Sequence, residues 1–150
     1  MSQLFLYTDG SSRGNPGPGG YGAVLLWGEK RKELSAAFKR TTNNRMELLA
    51  VIAGLEALNR PGVAVTVYSD SKYVVDAVEK GWLQSWLKKG FVGKKNPDLW
   101  RRFHQIQQQH QVRFVWVKGH ANNPMNNRCD QLATEAADRG PWAEDAGFEG

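Results

Sequence analysis

The chain opens on an apolar run, Leu4-Phe5-Leu6-Tyr7, that ends at Thr8-Asp9-Gly10 and passes into a glycine-rich stretch reaching Gly22. Such a run predicts a buried strand followed by a turn, with glycines that let something approach the backbone closely. Tyr21 to Trp27 is a second apolar run, and Gly28-Glu29 turns it into the mixed stretch Lys30 to Lys39. Three strands joined as hairpins are the simplest reading. The period then changes. Met46, Leu49, Ile52, Ala53, Leu55 and Leu58 recur at helical spacing after Thr41-Thr42-Asn43-Asn44, where Thr42 or an asparagine can cap the helix, and Pro61-Gly62 stops it. Val63 to Ser69 is β-branched and apolar on both parities, the pattern of a strand covered on both faces. It leads through Ser69-Asp70-Ser71 into a helix over Lys72 to Lys80, which Gly81 ends.

From Trp82 to Arg102 aromatic residues (Trp82, Trp86, Phe91, Trp100) interleave with Lys88, Lys89, Lys94, Lys95, Arg101 and Arg102. Part of this must be an ordinary helix pair with buried rings, but Gly90, Gly93 and Pro97 break it into a basic protrusion suited to phosphate. Asn96-Pro97-Asp98 is a helix start, and Leu99, Phe103 and Ile106 supply that helix's apolar stripe. Val112, Phe114 and Trp116 alternate along a last strand, a polar loop over residues 118 to 124 follows, and Asn126 to Arg139 closes the chain as a helix ended by Gly140-Pro141. The order βββαβα, a basic helical excursion, then βα, predicts one α/β domain over residues 1–150. Its five-stranded mixed sheet carries the first strand at the centre and helices on both faces, and residues 141–150 form a flexible tail.

Composition narrows the partners. Among 150 residues, 20 Lys and Arg oppose 15 Asp and Glu, a formal charge of +5, which points to a polyanion. The single cysteine, Cys129, cannot form an internal disulfide, and neither a charged-then-apolar leader nor a long apolar span is present. A soluble, cytoplasmic monomer with no membrane association is the expectation.

Against this basic background, acids recur at suggestive places. Asp9 and Asp70 end strands that the topology makes parallel neighbours, where α/β sheets collect ligands, although Asp9 could simply begin an Asx turn and Asp70 or Ser71 could simply cap a helix. Glu47 either serves a capping box with Asn44 or borders the buried face, since Val51 and Leu55 follow one and two turns on. Asp130 lies near the start of the last helix, so four acids from four elements can converge. His120, on the polar loop, reads by itself as a solvated side chain, as most loop histidines are. Clustered carboxylates raise one another's pKa unless a cation compensates, and oxygen ligands without cysteines or paired histidines favour Mg²⁺ or Mn²⁺ over zinc. An acidic metal pocket on a basic surface describes a nuclease.

Residues 7–22 (Tyr-Thr-Asp-Gly-Ser through Gly-Asn-Pro-Gly-Pro-Gly-Gly-Tyr-Gly), 41–48 (Thr-Thr-Asn-Asn-Arg-Met-Glu-Leu), 69–71 (Ser-Asp-Ser), 117–121 (Val-Lys-Gly-His-Ala) and 127–130 (Asn-Arg-Cys-Asp) together resemble the bacterial ribonuclease HI family, type 1 ribonuclease H. The resemblance implies the ribonuclease H-like fold and an endonuclease that hydrolyses the RNA strand of RNA/DNA hybrids, leaving 5′-phosphate and 3′-hydroxyl ends. It further implies that Asp9, Glu47, Asp70 and Asp130 hold two Mg²⁺ ions, which Mn²⁺ can replace, one activating water and one stabilising the leaving 3′ oxygen. By the same match His120 assists proton movement or product release. Asn15, Asn43 and Asn44 read 2′-hydroxyls and minor-groove edges, and Thr42 meets a DNA phosphate. Trp82 with Lys88, Lys89, Lys94 and Lys95 forms the channel and handle for the DNA strand.

The chain departs from the family in three places. The stretch from Phe91 to Asp98 is shorter than in long-handled members, Lys72 stands where Gln is frequent, and Asn127 replaces an acid three residues before the last ligand. Two other functions fit some of these features, a non-catalytic hybrid-binding module and a DNA-directed relative such as a resolvase or integrase. The intact acidic set argues against the first, because buried acids only harm binding to a polyanion.

Overall fold

The structure is a computed structural model describing residues 3–118 and 123–148. Strands β1 (Leu4–Ser12), β2 (Gly17–Trp27) and β3 (Lys30–Thr41) form an antiparallel meander, and β4 (Ala64–Ser69) and β5 (Gln111–Trp116) extend the sheet in parallel from the other side of β1. A two-residue strand, β6 (Trp142–Ala143), pairs parallel with β3, giving the order β5-β4-β1-β2-β3-β6. The expected five strands are therefore present, and the sixth comes from the segment expected to be a loose tail.

Helices α1 (Asn43–Glu56), α2 (Lys72–Glu79), α3 (Trp82–Lys88), α4 (Pro97–Gln107) and α5 (Pro124–Arg139) surround this sheet. The glycine-rich stretch is strand rather than turn from Gly17 onward, because what approaches its backbone is protein. A Cβ on Gly19 would lie 3.3 Å from the Met46 side chain of α1, whereas one on Gly20 would lie 2.6 Å from Ala136 of α5. Successive strand residues face opposite sides, so α1 and α5 sandwich the sheet.

Thr42 is the N-cap of α1 and its hydroxyl accepts from the Arg45 N–H at 3.3 Å, which settles the choice of cap and excludes the Asn44–Glu47 capping box. The helix ends at Glu56, before Leu58 and well ahead of Pro61. It is buried on almost every side from Arg45 to Ile52 because the sheet lies on one side of it and α4 on another. Asn96 does precede Pro97 at the start of α4, but in the left-handed region (φ 63°) and without a side-chain cap bond. Its amide instead donates to Tyr73 Oη at 3.1 Å and its oxygen accepts from Arg45 Nη1 at 3.2 Å.

Residues 141–148, expected to be flexible, dock onto the fold. The Trp142 indole donates to the Ala137 carbonyl at 3.0 Å, and the Asp145 carboxylate accepts from Thr41 Oγ1 at 2.6 Å and from Arg45 Nε at 2.7 Å. With 4 % of its side chain exposed, Asp145 is part of the interior.

Candidate active site

Tyr7 of β1 pairs with Tyr68 of β4 in parallel register, so Asp9 and Asp70 each lie two residues beyond that pair at the same end of adjacent strands. Glu47 reaches the same place because α1 packs directly on Gly10. A Cβ on Gly10 would lie 2.4 Å from the Glu47 nitrogen, closer than any side chain allows. Carboxylate oxygens of Asp9, Glu47 and Asp70 consequently lie within 4.8 Å of one another.

The cluster is electrostatically uncomfortable without a cation. Burial, then the charges of Asp9 and Asp70, push the Glu47 carboxyl well above its ordinary range. Burial chiefly raises Asp9 from 3.8 to about 7, with Asp70 and Asp130 adding to it and hydrogen bonds from Glu47 and the Gly10 N–H opposing. Asp70 Oδ1 is buried with no hydrogen-bond partner among the described residues. Mutually repelling, all-oxygen donors with an orphaned acceptor fit a hard divalent cation.

A pH dependence follows for the metal-free protein. The folded chain holds protons on Asp9 that the unfolded chain releases above 3.8, so stability falls as pH rises from about 4 to about 7. His110, whose pKa burial lowers, acts in the opposite sense below 6.5. The urea midpoint should be higher at pH 5 than at pH 7.5, and Asp9→Asn should reduce that difference. An undiminished difference in the variant would place the titration elsewhere.

Asp130 does not join this cluster. It is exposed on α5, which the sheet admits at Gly22, the β2 partner of Asp9, where a Cβ would meet the Cys129 carbonyl at 2.5 Å. That close approach sets Asp130 near enough for its charge to register at Asp9. Bidentate pairs of Arg13 with Asp138 and of Arg128 with Glu33 tie α5 to the meander. Asn127 is also exposed on α5. His120 lies outside the described residues.

Asn15, Thr42, Asn43 and Asn44 gather at the N-terminus of α1, where the Asn15 Oδ1 accepts from the Asn43 N–H at 2.8 Å. Trp82, 44 % exposed, begins α3, with Lys80 Nζ 5.5 Å from its ring centroid. Lys88 ends that helix, Lys89, Lys94 and Lys95 follow in the connection to α4, and all four are exposed and form no ion pair among the described residues. Lys94 Nζ stands 5.6 Å from the Trp86 ring centroid.

One residue that pattern reasoning passes over is Arg45. An arginine in the first turn of a helix normally reads as solvated, yet this one is 1 % exposed and grips Asp98, Asp145 and Asn96. Only its position beside Glu47 within a strongly apolar helix hints at burial.

A sequence model of the RNase H family matches residues 1–138. Ribonuclease H of Syntrophus aciditrophicus is 54 % identical over 153 aligned positions, covering 99 % of this chain and 88 % of that protein. Among solved structures, LC9-RNase H1, a type 1 RNase H with the type 2 active-site motif, superposes with a TM-score of 0.81 at 29 % identity, over 92 % of this chain and 73 % of that one. LC11-RNase H1 in complex with an RNA/DNA hybrid gives 0.66 at 30 % identity, over 91 % and 97 %. With its carboxylates brought together by the same sheet and helix that carry the family's motifs, the chain belongs to the RNase H family.

Proposed function

We propose that Asp9, Glu47, Asp70 and Asp130 hold two Mg²⁺ ions, replaceable by Mn²⁺, at which a bound RNA/DNA hybrid is cut. The chain is a ribonuclease H, an endonuclease that hydrolyses the RNA strand and leaves 5′-phosphate and 3′-hydroxyl ends. The observation that carries the metal reading is the carboxylate cluster within 4.8 Å, with an unpartnered Asp70 oxygen inside it. Bound divalent ions supply Lewis-acid polarisation of the scissile phosphate and of the attacking water.

The chain's own residues do the rest. Gly10 lets Glu47 enter from the helix side, while Asp9 and Asp70 come from the sheet, so the ligands are fixed by backbone packing rather than by flexible loops. Asn15, Asn43 and Asn44 present amides, at once donors and acceptors, to the minor groove, where 2′-hydroxyls distinguish RNA from DNA. The Thr42 hydroxyl accepts the helix N–H and keeps its own hydrogen for a phosphate oxygen. His120 assists proton movement or product release. The whole chain acts as one catalytic domain, a cytoplasmic monomer. No helix among the described residues is long and apolar enough to cross a membrane.

A panel of matched RNA/DNA, double-stranded RNA and double-stranded DNA substrates, with and without Mg²⁺, tests this reading. Cleavage confined to the RNA strand of the hybrid and dependent on metal is expected; cleavage of DNA duplexes would favour a resolvase-like activity, and binding without cleavage a non-catalytic module.

The basic segment makes a separate prediction. Replacing Lys88, Lys89, Lys94 and Lys95 by Ala should raise KM and flatten its salt dependence, by roughly 0.9 in logarithmic slope for each phosphate no longer neutralised. Turnover at saturating hybrid should survive. An unaltered slope would mean that this segment does not touch the backbone of the duplex.

A further inference from the structure

The geometry points to Trp116 as a positioning residue that holds Asp70, through its main chain, in the orientation the metal site needs. Trp116 ends β5 opposite Ser69 and is 43 % exposed, so its large side chain contributes little to the core. Its indole Nε1–H donates to the Asp70 carbonyl oxygen at 3.3 Å, and the N–H of Val117, the residue just beyond β5, donates to the Ser69 carbonyl at 2.9 Å. Two consecutive residues at the end of β5 therefore grip the corner where β4 delivers its carboxylate.

That grip matters because the carboxylate is held on one side only, by Glu47, while its Oδ1 is left free. With no hydrogen-bond partner on Oδ1 among the described residues, the side chain's direction depends in large part on the main chain from which it springs. The corner is otherwise fixed on its far side, where the Ser71 N–H donates to Ser69 Oγ at 3.1 Å and Ser71 Oγ caps α2 by accepting from the Val74 N–H. The opposite face of this clamp is the indole, and Lys72 Nζ, 4.6 Å from the ring centroid, covers it and steadies its plane. Partners that orient a ligand without touching the metal typically change metal affinity 10–100-fold when removed, and a main-chain hydrogen bond belongs at the lower end.

The inference rests on the proposed Mg²⁺ site, and the experiment separates the two. Mg²⁺ is titrated into substrate-free wild type and Trp116→Phe, following backbone amide and indole ¹⁵N–¹H resonances. Phenylalanine keeps an aromatic ring for Lys72 and deletes the donor. The dissociation constant should rise about tenfold, with the thermal midpoint and the KM for hybrid unchanged and kcat at limiting Mg²⁺ reduced. In wild type the Trp116 indole resonance, assigned by through-bond and NOE correlations to its own backbone amide, should shift with the same midpoint as the Asp70 amide, a readout that needs no folded variant. A wild type that binds no Mg²⁺ would overturn the metal reading itself. Normal wild-type binding with an unmoved indole resonance, or with unchanged affinity in the variant whatever its thermal midpoint, would overturn the role of Trp116 alone.

Discussion

Asp9→Asn, and likewise Asp70→Asn, is expected to abolish hybrid cleavage while leaving the fold intact. Each removes a carboxylate charge from a cluster whose oxygens lie within 4.8 Å, so on the proposed metal-binding role the loss should exceed the roughly 10²–10³-fold that deleting one preorganised transition-state donor costs. The stability effect has the opposite sign. Asp9 is held at about 7 instead of 3.8, so keeping it charged near neutrality works against the metal-free fold by up to about 4 kcal/mol. A neutral, nearly isosteric amide relieves that repulsion. Asp9→Asn should therefore unfold at higher urea than wild type without metal, and saturating Mg²⁺ should close the gap, because ligand binding to the native state stabilises only the protein that retains the site. Near-normal turnover in either variant would remove the carboxylates from the reaction.

Arg45→Met should be the most destabilising single substitution of a charged side chain. The guanidinium gives Nε and Nη2 to Asp145 at 2.7 and 3.0 Å, Nη1 and Nη2 to Asp98 at 2.9 and 2.7 Å, and lies 5.4 Å from the Phe148 ring centroid. Methionine fills much of the volume but strands Asp145, whose remaining side-chain partner is the Thr41 hydroxyl. Breaking a buried pair from one side costs roughly 3–5 kcal/mol, far more than the pair itself contributes when both partners are replaced together. Urea denaturation at pH 7 should show that loss, and Arg45→Met combined with Asp145→Leu should recover a large part of it. A cost below about 1 kcal/mol, the scale of an exposed pair, would mean that solvent reaches the network. The consequence extends past stability, since Arg45 joins the helix carrying Glu47 to α4, at the return of the basic segment, and to the docked C-terminal segment.

Most strands and helices are legible in the sequence because their apolar periods are local properties. The run before Asp9, the two-parity run before Asp70 and the helical spacing around Glu47 each depend on a few neighbouring residues, and all survive in the structure. Trp116 shows where the period misleads. It shares the parity of Phe114, which is buried, yet it is half exposed because β5 is the edge strand and its last residue passes beyond the core. Asn96 misleads differently, since it does stand before Pro97 at the helix start but its side chain serves Arg45 and Tyr73 instead of the helix.

By itself, the sequence determined which acids are at issue, the order of the elements that carry them and the basic character of the segment from Lys88 to Lys95, all of which follow from residue type and short-range spacing. Tertiary structure alone decided that Asp9, Glu47 and Asp70 share one close cluster while Asp130 stands exposed, because helix-to-sheet distance is set where Gly10 and Gly22 remove a side chain. It also decided that residues 142–145 belong to the fold. Nothing local in an acidic, glycine-containing segment announces a buried carboxylate, for the side-chain partners of Asp145 are Arg45, 100 residues earlier in the chain, and Thr41, earlier still.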